Sequence, residues 1–555
     1  MQDAVRTLCL AVNTVRYLRP VQVYGRLWFR LRRPLPDTSA APPCRPHAVR
    51  WHGAPRSASM TGPCRFRFLG VERSVSEPMH WTRSDVSKLW LYNLHYFDDL
   101  LAYGSGARRL WHEDLIQRWI AENPPGSPVG WDSYPTSLRI VNWIQWMLAG
   151  APANPQVLHS LATQARWLAK RFEFHLLGNH LWANAKALIF AGAFFIGPEA
   201  QRWLKKGLRV ASRQLGEQIL ADGGHFERSP MYHGIVLADV LDLLQLAKVF
   251  PDVFERSHVR AWSSVARSML RWLRIMSHPD GDLAFFNDSA MGIAPRYSEL
   301  SEYARRVAGL SDLVESEQIA SIEALTESGY VRLQRGPAVM IADVGEVGPD
   351  YQPGHAHADT LSFELSLYGH RIVVNGGTST YEPGIQRLRQ RSTRSHNTVV
   401  IDGQDSSEVW GSFRVARRAR PRGVSWGTRA SVLHLQGSHD GYRRLARGLT
   451  HTRSWSLADS FLRIDDYIEG AFSTAQAMLL VHPDVEVWTD RNGVSLNWGG
   501  KHARVAANGA AIDTTLRSWH PRFGLALPAW RLELQARANR FSTLISWGAE
   551  AGAPR

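Results

Sequence analysis

Two histidines and an aspartate share one short run, Gly354-His355-Ala356-His357-Ala358-Asp359. Polar and apolar side chains then alternate from residue 360 to 367, which is typical of a strand with one buried face. Histidines two apart in an extended segment point to the same side, so one can hold a metal or an anion while the other transfers a proton. The alternative is an ordinary loop with two hydrogen-bonded histidines.

Two more polar groups interrupt a region of helical periodicity. Asn179 and His180 open an otherwise apolar helix, where the amide either caps the helix or hydrogen-bonds a substrate carboxylate. Between residues 222 and 233, turn residues place His225, Arg228 and Tyr232 near the start of another helix. A neighbouring arginine lowers the pKa of a phenol, which makes Tyr232 a candidate acid or base.

These residue types suit β-elimination beside a uronic acid. The C5 proton of a uronate becomes acidic once hydrogen bonds neutralise its carboxylate, after which a Tyr or His removes it and a second group protonates the departing oxygen. Tyr381 and His396-Asn397-Thr398 follow the His-x-His run and belong to the same set. Because the groups come from two different regions of the chain, we expect them to meet in a cleft between domains.

Composition indicates a soluble globular protein with an anionic partner. The 555 residues are 44% hydrophobic and 21% charged, with a net charge of +15. Arginine suits bidentate recognition of carboxylate or sulfate, and nine arginines crowd one stretch with few acids. No nucleic-acid-binding motif accompanies them, so we expect no nucleic acid partner. The crowded arginines are Arg387, Arg389, Arg391, Arg394, Arg414, Arg417, Arg418, Arg420 and Arg422.

The N-terminal segment, residues 1–34, reads as basic and amphipathic. It either lies on a membrane surface or packs on the body of the protein. It shows no convincing export signal, and no stretch of the chain approaches the roughly 20 apolar residues of a spanning helix. Cys9, Cys44 and Cys64 are too few for a disulfide framework.

Periodicity divides the chain into three parts. Residues 1–80 form the basic segment and an irregular arm, residues 81–325 are helical, and residues 326–555 carry short strands between turns. We therefore expect a multidomain α+β protein in which antiparallel helices precede an antiparallel β-sandwich. The helical part could form a bundle, a solenoid or a closed α/α toroid. The predicted helices are 138–148, 155–174, 180–195, 198–220, 231–249 and 259–276.

With its motifs in this order, the chain resembles the heparinase II/III-like polysaccharide lyases, a family that includes heparinases and alginate lyases. The strongest match is the run from Gly354 to Leu365 together with His396-Asn397-Thr398. The resemblance implies an incomplete α/α barrel, or toroid, before the sandwich, and a lyase for a uronic-acid-containing polysaccharide. It also implies carboxylate neutralisation by Asn179 and His180 and proton transfer by Tyr232 and His355, with Tyr381 as a further candidate phenol.

The resemblance also implies sites of other kinds. One divalent ion, zinc or calcium, would have a structural role on His357, Asn375 and His396, although an asparagine is a poorer zinc ligand than an aspartate. Members with a similar N-terminal segment point to a bacterial exopolysaccharide as substrate. The family suggests the periplasm, whereas the missing export signal favours the cytoplasm. The candidate substrate-binding residues are Arg228, His225, Trp131, Arg139 and Arg394, of which Trp131 and Arg139 are alternatively packing residues.

Two other functions fit the same residues. A glycoside hydrolase on the same toroid would use Asp222 with Glu227 or Asp288 as a carboxylate pair. A non-catalytic glycan-binding or export partner would keep the fold without the reaction, because a fold does not establish an activity. The distance between the paired groups separates the first alternative from elimination.

Overall fold

Helices dominate the chain as far as residue 308, and strands dominate after residue 322. The computed structural model describes residues 2–54, 56–310, 319–491 and 493–548. The helices are α1 (Gln2–Val15), α2 (Pro20–Leu31), α3 (Lys88–Tyr96), α4 (Arg109–Glu122), α5 (Ser133–Leu148), α6 (Pro155–Lys170), α7 (Gly178–Phe194), α8 (Pro198–Gln218), α9 (Pro230–Val249), α10 (Arg256–Ile275), α11 (Tyr297–Ala308) and α12 (Ile385–Arg391).

From α3 onwards the long helices form the predicted α/α toroid, in which neighbouring helices bury their shared faces. Helix α7 is apolar on all sides and lies against α5, α8 and α9. Glycines bring α7 and α8 together: a Cβ at Gly192 would lie 2.5 Å from the backbone nitrogen of Leu204, and one at Gly207 would lie 2.8 Å from the carbonyl oxygen of Ala185. Larger residues at these two positions would force the helices apart.

The strands form the predicted antiparallel sandwich. An eight-stranded sheet has the order β12-β13-β14-β15-β22-β19-β18-β17, a four-stranded sheet the order β20-β21-β16-β9, and a five-stranded sheet runs from β4 to β8. Their facing sides enclose an apolar core that includes Phe363, Trp455 and Trp547. The strands are β1 (Met60–Gly62), β2 (Arg65–Phe68), β3 (Val71–Ser74), β4 (Ile322–Leu325), β5 (Tyr330–Arg335), β6 (Ala338–Asp343), β7 (Phe363–Leu367), β8 (His370–Val373), β9 (Val399–Ile401), β10 (Val409–Trp410), β11 (Arg414–Val415), β12 (Pro421–Arg429), β13 (Val432–His439), β14 (Thr450–Leu457), β15 (Phe461–Glu469), β16 (Ala475–Leu480), β17 (Glu486–Asp490), β18 (Gly493–Trp498), β19 (Lys501–Asn508), β20 (Ala510–Trp519), β21 (Leu527–Ala536) and β22 (Arg540–Trp547).

Two features differ from the expectation. The arm before residue 80 is not wholly irregular, because β1 to β3 form a small sheet, and Trp51, Met60 and Phe66 enter the toroid core. Strand β7 is buried on both faces instead of one. Its polar Glu364 accepts hydrogen bonds from the backbone nitrogens of Phe285 (2.9 Å) and Asn375 (2.7 Å), which satisfy the carboxylate inside the protein.

Strand β4 pairs with β5, so the sandwich begins a few residues before the boundary predicted at residue 326. Among the described residues, no helix is both long enough and apolar enough to cross a membrane.

Candidate active site

Asp288 is the centre of the site and is fully buried. Its carboxylate accepts hydrogen bonds from His355 Nδ1 (2.9 Å) and His357 Nε2 (2.8 Å), and it forms a bidentate pair with the Arg387 guanidinium. Burial alone would raise the pKa of this carboxyl. The Arg387 charge and the two imidazole hydrogen bonds outweigh burial and hold the pKa of Asp288 well below its usual range.

The bond to Asp288 fixes the orientation of His355. Because Nδ1 carries the proton that the carboxylate accepts, Nε2 of a neutral ring keeps its lone pair and is able to take up a proton. The imidazole lies against the Tyr232 ring, with 3.9 Å between ring centroids. The two histidines of the His-x-His run therefore do point to one side, where they share a single carboxylate.

Tyr232 lies in the first turn of α9, where the Ser229 hydroxyl caps the helix by accepting from the Tyr232 backbone nitrogen at 3.2 Å. Its hydroxyl is 3.1 Å from that of Tyr381. Burial, the Tyr381 phenol and Asp288 raise the pKa of Tyr232 well above its usual value. The prediction of a lowered pKa was wrong, because the Arg228 guanidinium donates to the carbonyl oxygens of Glu346 and Glu327 across the domain boundary.

Asn179 and His180 reach the site from the start of α7. The backbone at Gly178 has a positive φ of 51°, and a Cβ there would lie 3.0 Å from Gln352 Nε2. This close approach brings the toroid against the loop that precedes His355. The Asn179 backbone lies beside the Glu227 carboxyl, and its side-chain amide has no hydrogen-bond partner among the described residues. His180 Nδ1 lies 3.2 Å from Glu173 Oε2, and its ring centroid lies 4.4 Å from that of Tyr134 with the two planes tilted by 37°.

Glu227 is a buried carboxyl in the same place, and neither of its oxygens has a hydrogen-bond partner among the described residues. Oε2 is 3.6 Å from His355 Nε2. Burial raises the pKa of Glu227, although the imidazoles of His355 and His180 partly offset that effect. His180 and Glu227 of the toroid and His355 of the sandwich therefore lie in one region.

The hydrolase pair does not form. Asp222 accepts from the Ser328 backbone nitrogen (2.7 Å) and hydroxyl (2.8 Å), so it stabilises a turn. Asp288 is occupied by Arg387 and two histidines. Neither carboxylate is free to act with Glu227 on a glycosidic bond or a water.

The predicted metal ligands lie together, but they do not fit a four-ligand zinc site. His357 Nδ1 and His396 Nε2 are 3.2 Å apart, and His396 Nδ1 meets the Asn375 side-chain amide at 3.3 Å, away from the shared space. Among the described residues, no group of three or more His, Cys, Asp or Glu side chains is placed to hold a metal ion. The zinc or calcium ion stays a prediction, and no step of a reaction is assigned to it.

Two of the five predicted substrate-binding residues, Trp131 and Arg139, are buried inside the toroid. Trp131 packs between Trp119 and Trp167, and its indole nitrogen donates to the Asn123 carbonyl oxygen at 3.1 Å. Arg139 is fully buried, stacks on Trp119 at 3.8 Å and donates to Gln164 at 2.9 Å. Their polar atoms are satisfied within the core, which corrects the prediction that they contact sugar.

The other three candidates are Arg228, whose guanidinium donates to the carbonyl oxygens of Glu346 and Glu327, and His225 and Arg394. His225 is buried and hydrogen-bonds Gln218 Oε1 at 3.0 Å, and burial holds its pKa well below the usual value. Arg394 is half-buried in a short 3-10 turn, and its carbonyl oxygen accepts from Arg531 at 3.2 Å. His225 is close enough to His355 for that imidazole to contribute to its lowered pKa, whereas the contact of Arg394 is with Arg531 on β21.

A cavity of about 350 Å³ adjoins the cluster at Tyr381. Its wall also contains Ser379, Thr380, Gln386 and Phe523. A larger cavity of about 790 Å³ lies at the toroid, lined by Arg50, Trp146 and Arg306, and contains none of the predicted site residues. We take the cavity beside Tyr381 as part of the cleft because the Tyr381 hydroxyl is in contact with that of Tyr232.

The sequence reasoning missed the organising roles of Asp288 and Arg387. Asn287-Asp288-Ser289 is a polar run directly after Phe285-Phe286, and such an interruption of an apolar segment was a visible signal. Arg387 was recognised only as one of nine crowded arginines. Its partner lies 99 residues earlier in the chain, so no local pattern identifies the pair.

Two family models match the chain, one in each domain. A family model described as "Heparinase II/III N-terminus" matches residues 149–307, and "Heparinase II/III-like, C-terminal" matches residues 318–548. The crystal structure of heparinase III superposes with a TM-score of 0.70 at 20% identity, covering 85% of this chain and 79% of that one, which shows a shared fold.

Two curated relatives have different names. A heparin-sulfate lyase from Pedobacter heparinus is 26% identical over 273 residues, or 45% of this chain and 40% of the relative, so the match spans less than half of that protein. FtsZ-localized protein C from Caulobacter vibrioides is 27% identical over 82% of this chain and 80% of its own length. Because the two matched family models together cover more than half of the sequence, the chain belongs to the heparinase II/III-like family.

Proposed function

We propose that the protein is a polysaccharide lyase that cleaves a uronic-acid-containing polysaccharide by β-elimination. The observation that carries the proposal is the placement of His355, whose Nδ1 is bonded to Asp288 while its ring lies 3.9 Å from that of Tyr232. An oriented imidazole beside a phenol supplies the base and the acid that elimination requires. Asn179, with a free amide, adds the neutral donor for the uronate carboxylate.

The geometry favours one division of roles. His355 Nε2 takes the C5 proton, the electrons of the C5–H bond form the C4–C5 double bond, and the bond from C4 to the glycosidic oxygen breaks. Tyr232 donates its proton to that departing oxygen, which suits a phenol whose raised pKa keeps it protonated. Proton transfer from the His355 imidazolium to the Tyr232 phenolate then restores both groups.

Asp288 supports this cycle without changing its own protonation. It holds the imidazole in one tautomer and stabilises the imidazolium that forms after proton transfer, as a carboxylate does behind a general-base histidine. Arg387 keeps the carboxylate ionised. His180 would help to fix the start of α7, from which Asn179 extends.

We further propose that the substrate is an acidic bacterial exopolysaccharide. The net charge of +15 favours a polyanion. The names of the Pedobacter relative and of heparinase III support an acidic glycan as the substrate class.

The test is absorbance at about 235 nm, where the conjugated double bond made by elimination absorbs. The purified chain is incubated with heparan sulfate, chondroitin sulfate, alginate and acidic bacterial exopolysaccharides, beside Tyr232→Phe and the matched control Tyr103→Phe, a tyrosine that is 64% exposed. A rise that Tyr232→Phe abolishes and Tyr103→Phe preserves supports elimination. New reducing ends without absorbance would favour a hydrolase, and polymer binding without either signal would favour a non-catalytic partner.

A further inference from the structure

The two N-terminal helices present an uncovered apolar surface. Ten of the 28 large hydrophobic residues that are exposed in the described structure lie between residues 5 and 35. Such a concentration marks an interaction site, whereas single exposed hydrophobic residues do not. The exposed residues of α1 and α2, here called the apolar stripe, are Val5, Leu8, Val12, Val15, Val23, Tyr24, Leu27, Trp28 and Leu31.

The face of α2 opposite the stripe and the C-terminal end of α1 are packed on the body. On α2, the Gln22 side chain donates to the Tyr351 carbonyl oxygen at 2.9 Å, and the Phe29 ring lies 4.4 Å from that of His175. On α1, the Thr14 hydroxyl accepts from the Trp410 indole at 3.0 Å. These contacts fix the orientation of the two helices. The apolar stripe therefore faces solvent.

Arginines accompany the apolar stripe, and acids do not. In the sequence before Asp37 the only acidic residue is Asp3. Arg26 and Arg30 are one helical turn apart at the border of the stripe on α2, and neither forms an ion pair with a described residue. All seven arginines of the segment are exposed: Arg6, Arg16, Arg19, Arg26, Arg30, Arg32 and Arg33.

Exposed apolar side chains beside arginines are the features of a surface that binds an anionic lipid bilayer. An anionic bilayer offers a dense layer of acidic headgroups for the arginines and a hydrocarbon boundary for the aliphatic side chains directly beneath it. Trp28 and Tyr24, exposed on the stripe, are the residue types that favour the level between the two. We propose that α1 and α2 dock the protein on the surface of a membrane rich in anionic lipid, with both helices lying in the plane of the bilayer.

Docking through α1 and α2 would also bring the candidate site close to the membrane surface. Helix α2 contacts Tyr351, four residues before His355, and His175, four residues before Asn179. The cleft is therefore held close to the membrane surface, where it meets glycans attached to or emerging from that surface. The proposal does not depend on the lyase activity.

The test is co-sedimentation of the full chain with vesicles of phosphatidylcholine alone and of phosphatidylcholine mixed with phosphatidylglycerol. We expect binding to the mixed vesicles that weakens with added salt. The double variants Leu27→Glu/Trp28→Glu and Arg26→Glu/Arg30→Glu should each weaken binding by at least about tenfold. The matched control Trp488→Glu, at an indole that is 64% exposed on β17, should bind as the wild type does.

Circular dichroism and thermal melts establish that each variant is folded. Absence of vesicle binding by the wild type, equal binding to neutral vesicles at all salt concentrations, or an equal loss with Trp488→Glu would overturn the proposal. Light scattering supplies a further check. A wild-type dimer that Leu27→Glu/Trp28→Glu converts to monomer would mean that a second copy covers the apolar stripe, which also overturns it.

Discussion

His355 Nδ1 donates to Asp288 Oδ2 at 2.9 Å, across a separation of 67 residues in the chain. Asp288 lies in the loop that follows the toroid helix α10, whereas His355 leads into strand β7 of the sandwich. The candidate base is thus oriented by a residue outside the sandwich. The contact explains why the two domains must be held in a fixed relation for the site to exist.

We expect Asp288→Asn to impair both activity and stability. The amide leaves the buried Arg387 charge without a counterion, and loss of one partner of a buried ion pair costs about 3–5 kcal/mol. The imidazole also loses the acceptor that fixes its tautomer, so kcat should fall by about 10²–10⁴. Urea denaturation and kcat measured on the same preparation check both effects. Asp459→Asn, at a side chain that is 70% exposed, should change neither.

The two phenols should differ in their contributions. Tyr232→Phe removes the proposed acid, and we expect kcat to fall by about 10²–10⁴. Tyr381→Phe removes a hydrogen bond to the Tyr232 hydroxyl, worth about 0.5–1.5 kcal/mol, so kcat should fall by roughly tenfold or less. If Tyr381→Phe were the more damaging change, the assignment of the acid to Tyr232 would be wrong.

Asn179 should act on the transition state more than on binding. Removal of a preorganised donor typically lowers kcat by about 10²–10³, and we expect Asn179→Ala to behave in this way. Asn179→Asp should be worse, because a carboxylate repels the uronate and lies near Glu227. Steady-state kinetics with one polysaccharide separates kcat from KM. An Asp variant more active than the Ala variant contradicts carboxylate neutralisation by Asn179.

Glu227 makes the stability of the protein depend on pH. Burial raises its pKa in the folded state above the ordinary 4.5, so folding favours the protonated form. That stabilisation is complete below about pH 4.5 and is lost as pH rises through the folded-state pKa. Glu227→Gln stays neutral, so its free energy of unfolding relative to the wild type should increase with pH across this window, by up to about 1.4 kcal/mol per pH unit.

Denaturation of the wild type and Glu227→Gln at a series of pH values measures this difference. Other titrating groups are shared by both proteins and cancel in it. A difference that is constant with pH would show that folding does not raise the pKa of Glu227.

For the predicted metal site, we expect purified protein to contain less than one equivalent of zinc or calcium. His357 Nε2 is already bonded to Asp288, and Asn375 does not face the space between the two histidines. Elemental analysis after dialysis checks this expectation. One tightly held ion that His396→Ala removes would confirm the metal site instead.

Much of the fold follows from local patterns in the sequence. The predicted helix 231–249 corresponds to Pro230–Val249, and 198–220 corresponds to Pro198–Gln218, because apolar spacing and the Pro or Gly residues at the ends act locally. The two-sided burial of β7 was not predictable in this way. Its polar residues are satisfied by segments distant in sequence, such as His278, which lies 86 residues before Glu364.

The candidate site, like the fold, was predictable only in part from the sequence. Asn179, Tyr232 and His355 were selected because their residue types suit one reaction. In the structure Tyr232 lies against His355, and Gly178, next to Asn179, lies against Glu227, whose carboxyl faces His355. Trp131 and Arg139 were selected by type as well, but indole and guanidinium groups serve equally in a core, where stacking and internal acceptors satisfy them. Residue type alone does not separate these two roles.

The contact between Thr14 and Trp410 joins residues 396 positions apart. During synthesis, α1 leaves the ribosome long before the strand that it packs against exists. At roughly 5–20 residues per second, the interval is about 20–80 s. Helix α1 therefore lacks its packing partner throughout that interval, during which its inner face is as available to chaperones, and to other nascent chains, as its outer one.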